Sequence, residues 1–235
     1  MHPVYVHIKK ELSPFYAEEE ASAMAKWISS DILHLSTLEL YTGKDMNFST
    51  KEWEELEDIL RRLKQREPLQ YILQEASFCG MSFHVEQGVL IPRPETEELV
   101  EWIVSDFREA GQVRILDIGT GSGCIPVSLA QLLPEAVVSS CDVSAEALRI
   151  AAMNVKRYGD KVTLFCADIL KEELLECQVD VLVSNPPYIT ESERTDMEAN
   201  VLDWEPELAL FVPDSDPLRF YRRIARKGLD WLSEG

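Results

Sequence analysis

The apolar residues in the first third of the chain recur at the spacing of a helix. One stripe, at i, i+3, i+4 and i+8, consists of Met24, Trp27, Ile28 and Ile32. Residues at this spacing lie on one face of a helix and pack against other helices. Residues 1–73 are therefore predicted to form a small helical bundle, most simply an interaction or substrate-docking domain.

A second helix of this region carries its own start signal. Ser49 and Glu52 have the spacing of a capping box, in which each side chain bonds the backbone N–H of the other residue. Phe48 and Trp53 stand at the two positions of a hydrophobic staple. A helix is therefore predicted to begin after Ser49. Its apolar face is predicted at Trp53, Leu56, Leu60 and Leu63.

The pattern changes after this bundle. Residues 74–92 alternate in polarity around Phe78 and Phe83, which predicts a hairpin or an extended linker. Pro94 then suits the first turn of a helix, and Glu95 and Glu97 suit the positive end of that helix. A new helix is therefore predicted to begin at Pro94.

After Gly111, short apolar runs alternate with helical stretches. The predicted strands are residues 113–118, 136–141, 162–166 and 179–183. Helices follow the first two, and helical spacing returns at Leu218, Tyr221, Ile224 and Ala225. Strands that alternate with helices need crossover connections, so residues 93–235 are predicted to form an α/β domain with a doubly wound, mostly parallel sheet.

Composition narrows the class of protein. With 46% hydrophobic residues and no apolar run long enough to cross a bilayer, the chain is predicted to be globular, without a membrane partner. Five scattered cysteines without a C-x-x-C pair favour reduced, buried thiols in the cytoplasm, and no metal site is predicted. The cysteines are Cys79, Cys124, Cys141, Cys166 and Cys177.

The formal net charge of −19 bears on the partner. An acidic surface repels nucleic acids unless a basic patch intervenes. The candidate patches are residues 9–10, 61–62 and 219–227, and the last looks like one face of a helix. The negative charge favours either a protein partner, including a basic protein, or a cationic small molecule.

A glycine-rich loop follows the first strand of the predicted α/β domain. It consists of Gly119, Thr120, Gly121, Ser122 and Gly123. Glycines at this position allow a tight turn and let a ligand approach the backbone closely. Cys124 stands where a dinucleotide-binding loop has its last glycine, which counts against a pyrophosphate site.

Two aspartates follow the next two strands. Asp142 lies where an acid accepts the hydroxyl groups of a ribose, about twenty residues past the loop. The alternative for Asp142 is a cap for the next helix, but Ser144 is available for that role. Asp168 is predicted either to accept the exocyclic amine of an adenine or to be an ordinary turn aspartate.

The fourth strand ends in Asn185-Pro186-Pro187-Tyr188. Neither proline has an N–H to donate, and Pro186 keeps Asn185 out of helical geometry. The segment therefore places several acceptor oxygens beside the aromatic ring of Tyr188. This cluster suits a planar NH2 group, whereas a strand-end turn capped by Asn185 is the alternative. Ligands of open α/β sheets bind at the carboxyl ends of strands, so the cluster is predicted to face a nucleoside held by the loop and the aspartates. That combination indicates group transfer to nitrogen.

Several motifs together resemble a known family. Residues 116–123 look like motif I of class I S-adenosylmethionine-dependent methyltransferases, and residues 185–188 look like motif IV of amino-group methylators. Further marks are residues 66–72, 90–97, 205–206 and 208–210. With the helical N-terminal domain, these motifs resemble the bacterial release factor glutamine methyltransferases, the HemK/PrmC family, from residue 20 or so to the end.

The resemblance implies N5-methylation of the glutamine in the Gly-Gly-Gln loop of class 1 peptide chain release factors, with no direct nucleic-acid partner. The implied cofactor is S-adenosyl-L-methionine, and the product is S-adenosyl-L-homocysteine. The residues expected to contact the cofactor are Gly119, Thr120, Gly121, Ser122, Gly123, Asp142, Asp168, Ile169 and Asn185.

The Asn-Pro-Pro-Tyr segment is expected to bind the substrate amide and to carry the catalytic groups. The side-chain oxygen of Asn185 and the carbonyl of Pro186 would accept the two amide hydrogens. Tyr188 would pack on the amide plane, and Pro187 would complete the substrate contact. Positioning and electrostatics must supply the catalysis, because the lone pair of an amide nitrogen is delocalised.

Two other functions stay open at this point. A methyltransferase acting on an exocyclic amine of DNA or RNA shares motif IV, although the net charge is unfavourable for it. A non-catalytic cofactor-binding or docking protein is disfavoured by the intact motif IV.

The chain departs from the family at its end. Family members usually continue beyond the position of Gly235 with further strands, so the chain is expected to be a truncated form. Its sheet would then end at the 179–183 strand with an exposed apolar edge.

Overall fold

The computed structural model describes residues 1–43, 48–171 and 178–233. The chain divides into two compact units, Met1–Ile72 and Leu73–Gly235. None of the helices in the described residues is long and apolar enough to cross a membrane.

The first unit is helical, as its apolar spacing predicts. Its helices are α1 (Pro3–Leu12), α2 (Glu18–Trp27), α3 (Thr37–Thr42) and α4 (Thr50–Lys64), and α5 (Leu69–Leu73) follows. A π-helical turn, Ile28–Ile32, continues α2. The core of the unit is apolar, and its fully buried side chains include Ile8, Leu12, Ile28, Leu56, Leu60 and Leu63.

The start of α4 has the predicted capping geometry. Ser49 Oγ accepts a hydrogen bond from the Glu52 N–H at 3.3 Å, and Glu52 Oε2 accepts one from the Ser49 N–H at 2.7 Å. The rings of Phe48 and Trp53 lie edge to face with centroids 5.8 Å apart, as a staple requires. Trp53 is 40% exposed, so the buried face of α4 begins only at Leu56.

The second unit opens with an antiparallel hairpin of β1 (Glu75–Phe78) and β2 (Met81–His84). Of the two predicted possibilities for this region, the hairpin is the right one. Cys79 and Gly80 turn the chain with φ angles of 49° and 69°. Helix α6 (Pro94–Phe107) follows and begins at the predicted proline.

Four parallel strands form the sheet of the second unit. They are β3 (Arg114–Ile118), β4 (Val137–Asp142), β5 (Val162–Cys166) and β6 (Val181–Ser184), in the order β5-β4-β3-β6. Helices α7 (Cys124–Leu132) and α8 (Ala145–Arg157) connect the first three strands. The order reverses between β3 and β6, which is the switch point of a doubly wound sheet.

Beyond β6 the chain forms short elements and one long helix. They are β7 (Ile189–Thr190), a 3₁₀ helix (Glu191–Asp196), α9 (Ala199–Trp204), α10 (Glu207–Leu210), β8 (Phe211–Val212) and α11 (Arg219–Trp231). β7 and β8 pair as a small parallel ribbon. The sequence pattern predicted only the last helix.

Helices cover both faces of the four-stranded sheet. Ile103 of α6, Leu129 of α7 and Val155 of α8 belong to one apolar cluster with β3, β4, β5 and β6. Trp231 of α11 is buried with Leu116 in a second cluster on the other face. The predicted doubly wound α/β architecture is confirmed.

The apolar stripe predicted for α11 is partly wrong. Ile224 packs against the sheet as expected, together with Phe220. Leu218 and Tyr221 are 54% and 43% exposed, and Ala225 is exposed as well. The helix carries two apolar faces, and spacing alone does not tell which one is buried.

The outer edge of β6 is not fully open, contrary to expectation. Just before β6, the Val179 N–H donates to the Trp231 carbonyl at 2.8 Å, and the Ser233 N–H donates to the Val179 carbonyl at 2.9 Å. Leu232 therefore forms a parallel bridge with Val179.

The predicted burial of the cysteines holds only in part. The four in the described residues are free, and Cys124 and Cys141 are buried as predicted. Cys79 is half-buried, and Cys166 is exposed because it ends the edge strand β5. Cys177 lies outside the described residues.

Candidate active site

A cleft opens at the carboxyl ends of the parallel strands and is called the main cleft below. Ile118 and Ser184 are paired in the register of β3 and β6, so Gly119 and Asn185 leave neighbouring strands side by side. The predicted site residues on its lining are Gly119, Thr120, Gly121, Ser122, Asp142, Asp168, Ile169, Asn185, Pro186 and Pro187. Gly123 and Tyr188 do not line it.

The three glycines of the loop have different roles. All have left-handed backbones, with φ angles of 82° at Gly119, 53° at Gly121 and 82° at Gly123. A Cβ at Gly119 or Gly121 would meet no atom within 4 Å, so these two leave open space for a ligand. A Cβ at Gly123 would lie 3.2 Å from the Cβ of Ala151, so Gly123 lets α8 pack closely against the loop.

The end of β4 holds the loop in place. The N–H groups of Gly119 and Thr120 donate to the Cys141 carbonyl at 2.9 and 3.0 Å. The Gly121 N–H donates to Asp142 Oδ2 at 2.9 Å. The loop and Asp142 are therefore fixed relative to each other before any ligand binds.

Asp142 also receives a hydrogen bond from the chain that follows it. The Ser144 N–H donates to Asp142 Oδ1 at 2.9 Å, and Ser144 Oγ caps α8 by accepting from the Ala147 N–H at 3.2 Å. Ser144 is thus the helix cap. Each carboxylate oxygen of Asp142 keeps a second lone pair, so two acceptor positions remain for a ligand's hydroxyl groups.

Three buried polar atoms near the loop lack a hydrogen-bond partner among the described residues. They are Asp117 Oδ1, Thr120 Oγ1 and Ser122 Oγ. Buried polar groups are normally satisfied, so unpartnered ones beside a cleft fit a polar ligand or water. Thr120 and Ser122 line the main cleft, so the loop side of the cleft suits a polar ligand.

Asp117 is the least exposed carboxyl group of the site, with 0% of its surface accessible. Its Oδ2 accepts a hydrogen bond from Ser140 Oγ at 2.6 Å. Burial raises the pKa of Asp117 to about 7, although the hydrogen bond from Ser140 acts in the opposite direction. The Asp142 carboxylate also raises this pKa.

Asp168 lies just beyond the end of β5. Its Oδ1 accepts from the Leu170 N–H at 2.9 Å, and its Oδ2 forms an ion pair with Lys171 Nζ at 2.9 Å. Burial raises the pKa of Asp168, but the bonds from Lys171 and Leu170 outweigh it and hold the pKa below its usual value. Asp168 therefore stays ionised as an acceptor, beside the buried side chain of Ile169.

Asn185 stands on an anchored strand end. Ser184 Oγ donates to the Ile118 carbonyl at 2.6 Å, which ties the end of β6 to β3. The Asn185 side-chain nitrogen donates to Thr96 Oγ1 of α6 at 3.3 Å. Thr96 lines the main cleft as well, and the sequence pattern did not single it out.

A smaller second cavity adjoins the main cleft. Both are lined by Asn185 and Pro186, so these residues stand where the two spaces meet. Tyr188 lines only the second cavity and is 57% exposed. The other residues that line the second cavity are Leu90, Arg93, Ile189, Met197, Val201, Ala209 and Leu210.

A buried ion pair supports this region. Arg93 Nη2 lies 2.6 Å from Glu205 Oε1, and the side chain of Glu205 is only 2% exposed. Glu205 Oε2 also accepts from the Ile91 N–H at 3.3 Å. Burial raises the pKa of Glu205, against the opposing effect of Arg93. The pair connects the segment before α6 with the segment before α10, and no local sequence signal predicts it.

Removal of Arg93 should destabilise the protein more at neutral than at acidic pH. Arg93→Met leaves Glu205 buried without its counter-charge, and we expect a loss of about 2 kcal/mol in unfolding free energy at pH 8. The unpaired carboxyl group has a still higher pKa, so protonation at pH 5 should relieve much of this loss. Urea unfolding at both pH values measures the difference.

Arg61 provides the matched control. It pairs with Asp58 at 2.5 Å, and both side chains are more than half exposed, at 59% and 53%. Exposed pairs contribute little, so Arg61→Met should cost less than about 1 kcal/mol. Equal losses for the two variants would contradict a special role of the Arg93–Glu205 pair.

The chain matches two protein families. Residues 95–203 match the methyltransferase small domain, and residues 5–73 match the PrmC N-terminal domain. Among solved structures, the hMettl16 catalytic domain in complex with the MAT2A 3'UTR hairpin 6 shares the fold. It has a TM-score of 0.51 and 18% identity, with 79% of this chain and 65% of that chain covered.

Similarity to curated proteins extends over the whole chain. The release factor glutamine methyltransferase of Bacteroides thetaiotaomicron is 50% identical over 236 residues, with 100% of this chain and 84% of that protein covered. The enzyme of the same name from Flavobacterium psychrophilum is 42% identical, with 91% of this chain and 76% of that protein covered. Together with the class I methyltransferase fold, these similarities show that the chain belongs to the release factor glutamine methyltransferase family.

Proposed function

We propose that the protein uses S-adenosyl-L-methionine to methylate the N5 side-chain amide of the glutamine in the Gly-Gly-Gln motif of class 1 peptide chain release factors. One observation carries the proposal. The Asn185 segment and the glycine loop follow neighbouring strands and line one cleft. The chain that carries them is 50% identical to a protein named release factor glutamine methyltransferase. Release factors act on ribosomes, so the enzyme works in the cytoplasm.

The main cleft has suitable groups for each part of the cofactor. The free acceptor positions of Asp142 suit the ribose hydroxyls, and the ionised carboxylate of Asp168 suits the exocyclic amine of adenine, with Ile169 as an apolar neighbour. Gly119 and Gly121 leave room for close approach to the backbone. When bound, S-adenosyl-L-methionine supplies an electrophilic methyl group on a sulfonium centre.

The substrate amide is bound where the two cavities meet. The side-chain oxygen of Asn185 and the carbonyl oxygen of Pro186 accept hydrogen bonds from its two N–H groups, which raises the electron density on the nitrogen and orients it. Pro187 stands on the cleft side, and Tyr188 stands on the side of the second cavity, where its exposed ring packs on the amide plane. The apolar lining of the second cavity suits the aliphatic part of a glutamine.

The charge distribution supports a protein substrate over a nucleic acid. The overall charge is −19, and the most basic stretch, on α11, is partly used within the protein. Arg222 pairs with Asp216, and Arg223 Nε donates to the Ile169 carbonyl at 2.8 Å. Arginines that are paired within the protein displace fewer counter-ions from DNA or RNA than unpaired ones. The stretch on α11 is therefore expected to bind nucleic acid weakly.

Transfer of tritium from methyl-labelled S-adenosylmethionine tests the proposal. We expect label in a class 1 release factor, and none in the same factor with the Gly-Gly-Gln glutamine replaced by alanine. Ribosomal RNA and DNA are offered in parallel. Label in a nucleic acid with none in the release factor would establish the alternative function and reject the proposed one.

We also propose that the first unit docks the release factor. Its helix α3 presents two apolar side chains three positions apart, Leu38 and Tyr41, which are 72% and 59% exposed and lie on one face of the helix. Leu38→Glu should raise the KM for intact release factor about tenfold, because a charge would be buried at the contact. The KM for a short Gly-Gly-Gln peptide, which lacks the rest of the release factor, should not change; an equal effect on both substrates would argue against docking.

A further inference from the structure

The hydrogen bond between Thr96 and Asn185 joins two walls of the main cleft. Thr96 is in the first turn of α6, and Asn185 follows β6, 89 positions later in the chain. The Asn185 nitrogen donates to Thr96 Oγ1 at 3.3 Å. Within the described residues, no donor contacts the Asn185 side-chain oxygen, which is therefore available to a ligand.

The direction of the Asn185 amide decides what the site can bind. A side-chain amide has one accepting end and one donating end, and the torsion that rotates it has broad minima. With its donating end on Thr96, Asn185 offers its accepting end to the NH2 group of a substrate. A rotated amide would present hydrogens to hydrogens and would not bind that group.

The backbone of Thr96 is fixed by the start of α6. Pro94 fixes the first position of α6, and the Thr96 N–H donates to the Arg93 carbonyl at 3.0 Å. Arg93 is in turn bound to the buried Glu205. A series of contacts, from Glu205 to Arg93 and from Arg93 to Thr96, thus supports the Asn185 side chain. The backbone at Asn185 is anchored separately by the hydrogen bond of Ser184.

We propose that Thr96 is a positioning residue for the methyl-transfer reaction, because its hydroxyl oxygen holds the Asn185 amide with the oxygen toward the acceptor nitrogen. This inference rests on the proposed function and extends it to a residue outside the glycine loop and the Asn-Pro-Pro-Tyr segment. Its effect should appear in turnover rather than in binding, because the acceptor still enters the site but is oriented less often.

Three variants separate the hydroxyl from the shape of the side chain. Thr96→Val keeps the shape and loses the oxygen, and we expect kcat with release factor to fall about tenfold. The KM for release factor and the Kd for S-adenosylhomocysteine, measured by titration calorimetry, should change less than about twofold. Thr96→Ser keeps the oxygen and should restore most of the turnover. Thr163→Val makes the same change on the exposed surface of β5 and should behave as the wild type.

The outcomes distinguish this inference from the proposed function. A wild-type enzyme that does not methylate release factor overturns both. An active wild type with full turnover in Thr96→Val, or with equal losses in Thr96→Val and Thr96→Ser, overturns only the positioning role. If the melting temperature shows that Thr96→Val does not fold, Thr96→Ala removes the same oxygen without adding bulk and carries the same expectation.

Discussion

Replacement of Asn185 by alanine is expected to lower the methylation rate of release factor by about a thousandfold, which in most assays abolishes it. The variant loses the side-chain acceptor that binds the amide hydrogens. An amide nitrogen is weakly nucleophilic, so the reaction depends on groups that orient it and stabilise the charge that develops on it. Initial rates with labelled methyl donor, at saturating release factor, measure the loss.

Cofactor binding should survive this substitution nearly unchanged. Asn185 lines the main cleft together with Asp142, Asp168 and the glycine loop, and these other groups make most of the expected cofactor contacts. Titration calorimetry with S-adenosylhomocysteine should therefore give a similar Kd for the variant and the wild type. A variant with a normal methylation rate would refute the role of Asn185. A large loss of cofactor affinity would instead assign Asn185 to the cofactor.

The position of Asn185 beside the glycine loop could be predicted from the sequence. Parallel strands joined by helices place their carboxyl ends at one edge, and the two segments follow strands at the predicted switch point. The start of α4 was predictable too, because the Ser49–Glu52 signal lies within four residues. In both cases the physics is local or follows from the topology.

Other parts of the site had no such signal. The bond between Thr96 and Asn185 and the ion pair between Arg93 and Glu205 join residues 89 and 112 positions apart. Nothing in the period or composition of either segment indicates the partner. The raised pKa of Asp117 could not be predicted from the sequence either, because it depends on burial. In the sequence, Asp117 is only a residue of the glycine-loop motif.

Asp117 has an unusual consequence for stability. In the folded protein its pKa is raised from 3.8 to about 7, chiefly because burial disfavours the charged form. Between these two values the folded state keeps a proton that the unfolded chain releases. The stability contributed by the neutral, buried acid is therefore fully present below pH 3.8 and is lost as the pH rises through 7.

Asp117→Asn should therefore gain stability relative to the wild type as the pH rises. The asparagine oxygen can still accept from Ser140, but the residue no longer ionises. Between pH 5 and pH 8, we expect the difference in unfolding free energy between variant and wild type to shift by about 3 kcal/mol in favour of the variant. The contributions of all other titrating groups to the pH dependence cancel in this difference, because both proteins contain them. Urea unfolding at several pH values measures the difference in unfolding free energy.

Asp106→Asn is the control that separates burial from charge removal. Asp106 is exposed on α6, so Asp106→Asn should change the unfolding free energy by less than about 0.5 kcal/mol. Parallel stability curves for Asp117→Asn and the wild type would mean that Asp117 is already ionised at pH 5. The unpartnered hydroxyl of Thr120 would then be expected to stabilise that charge, and the glycine loop would present a fixed negative group beneath the cofactor site at all physiological pH values.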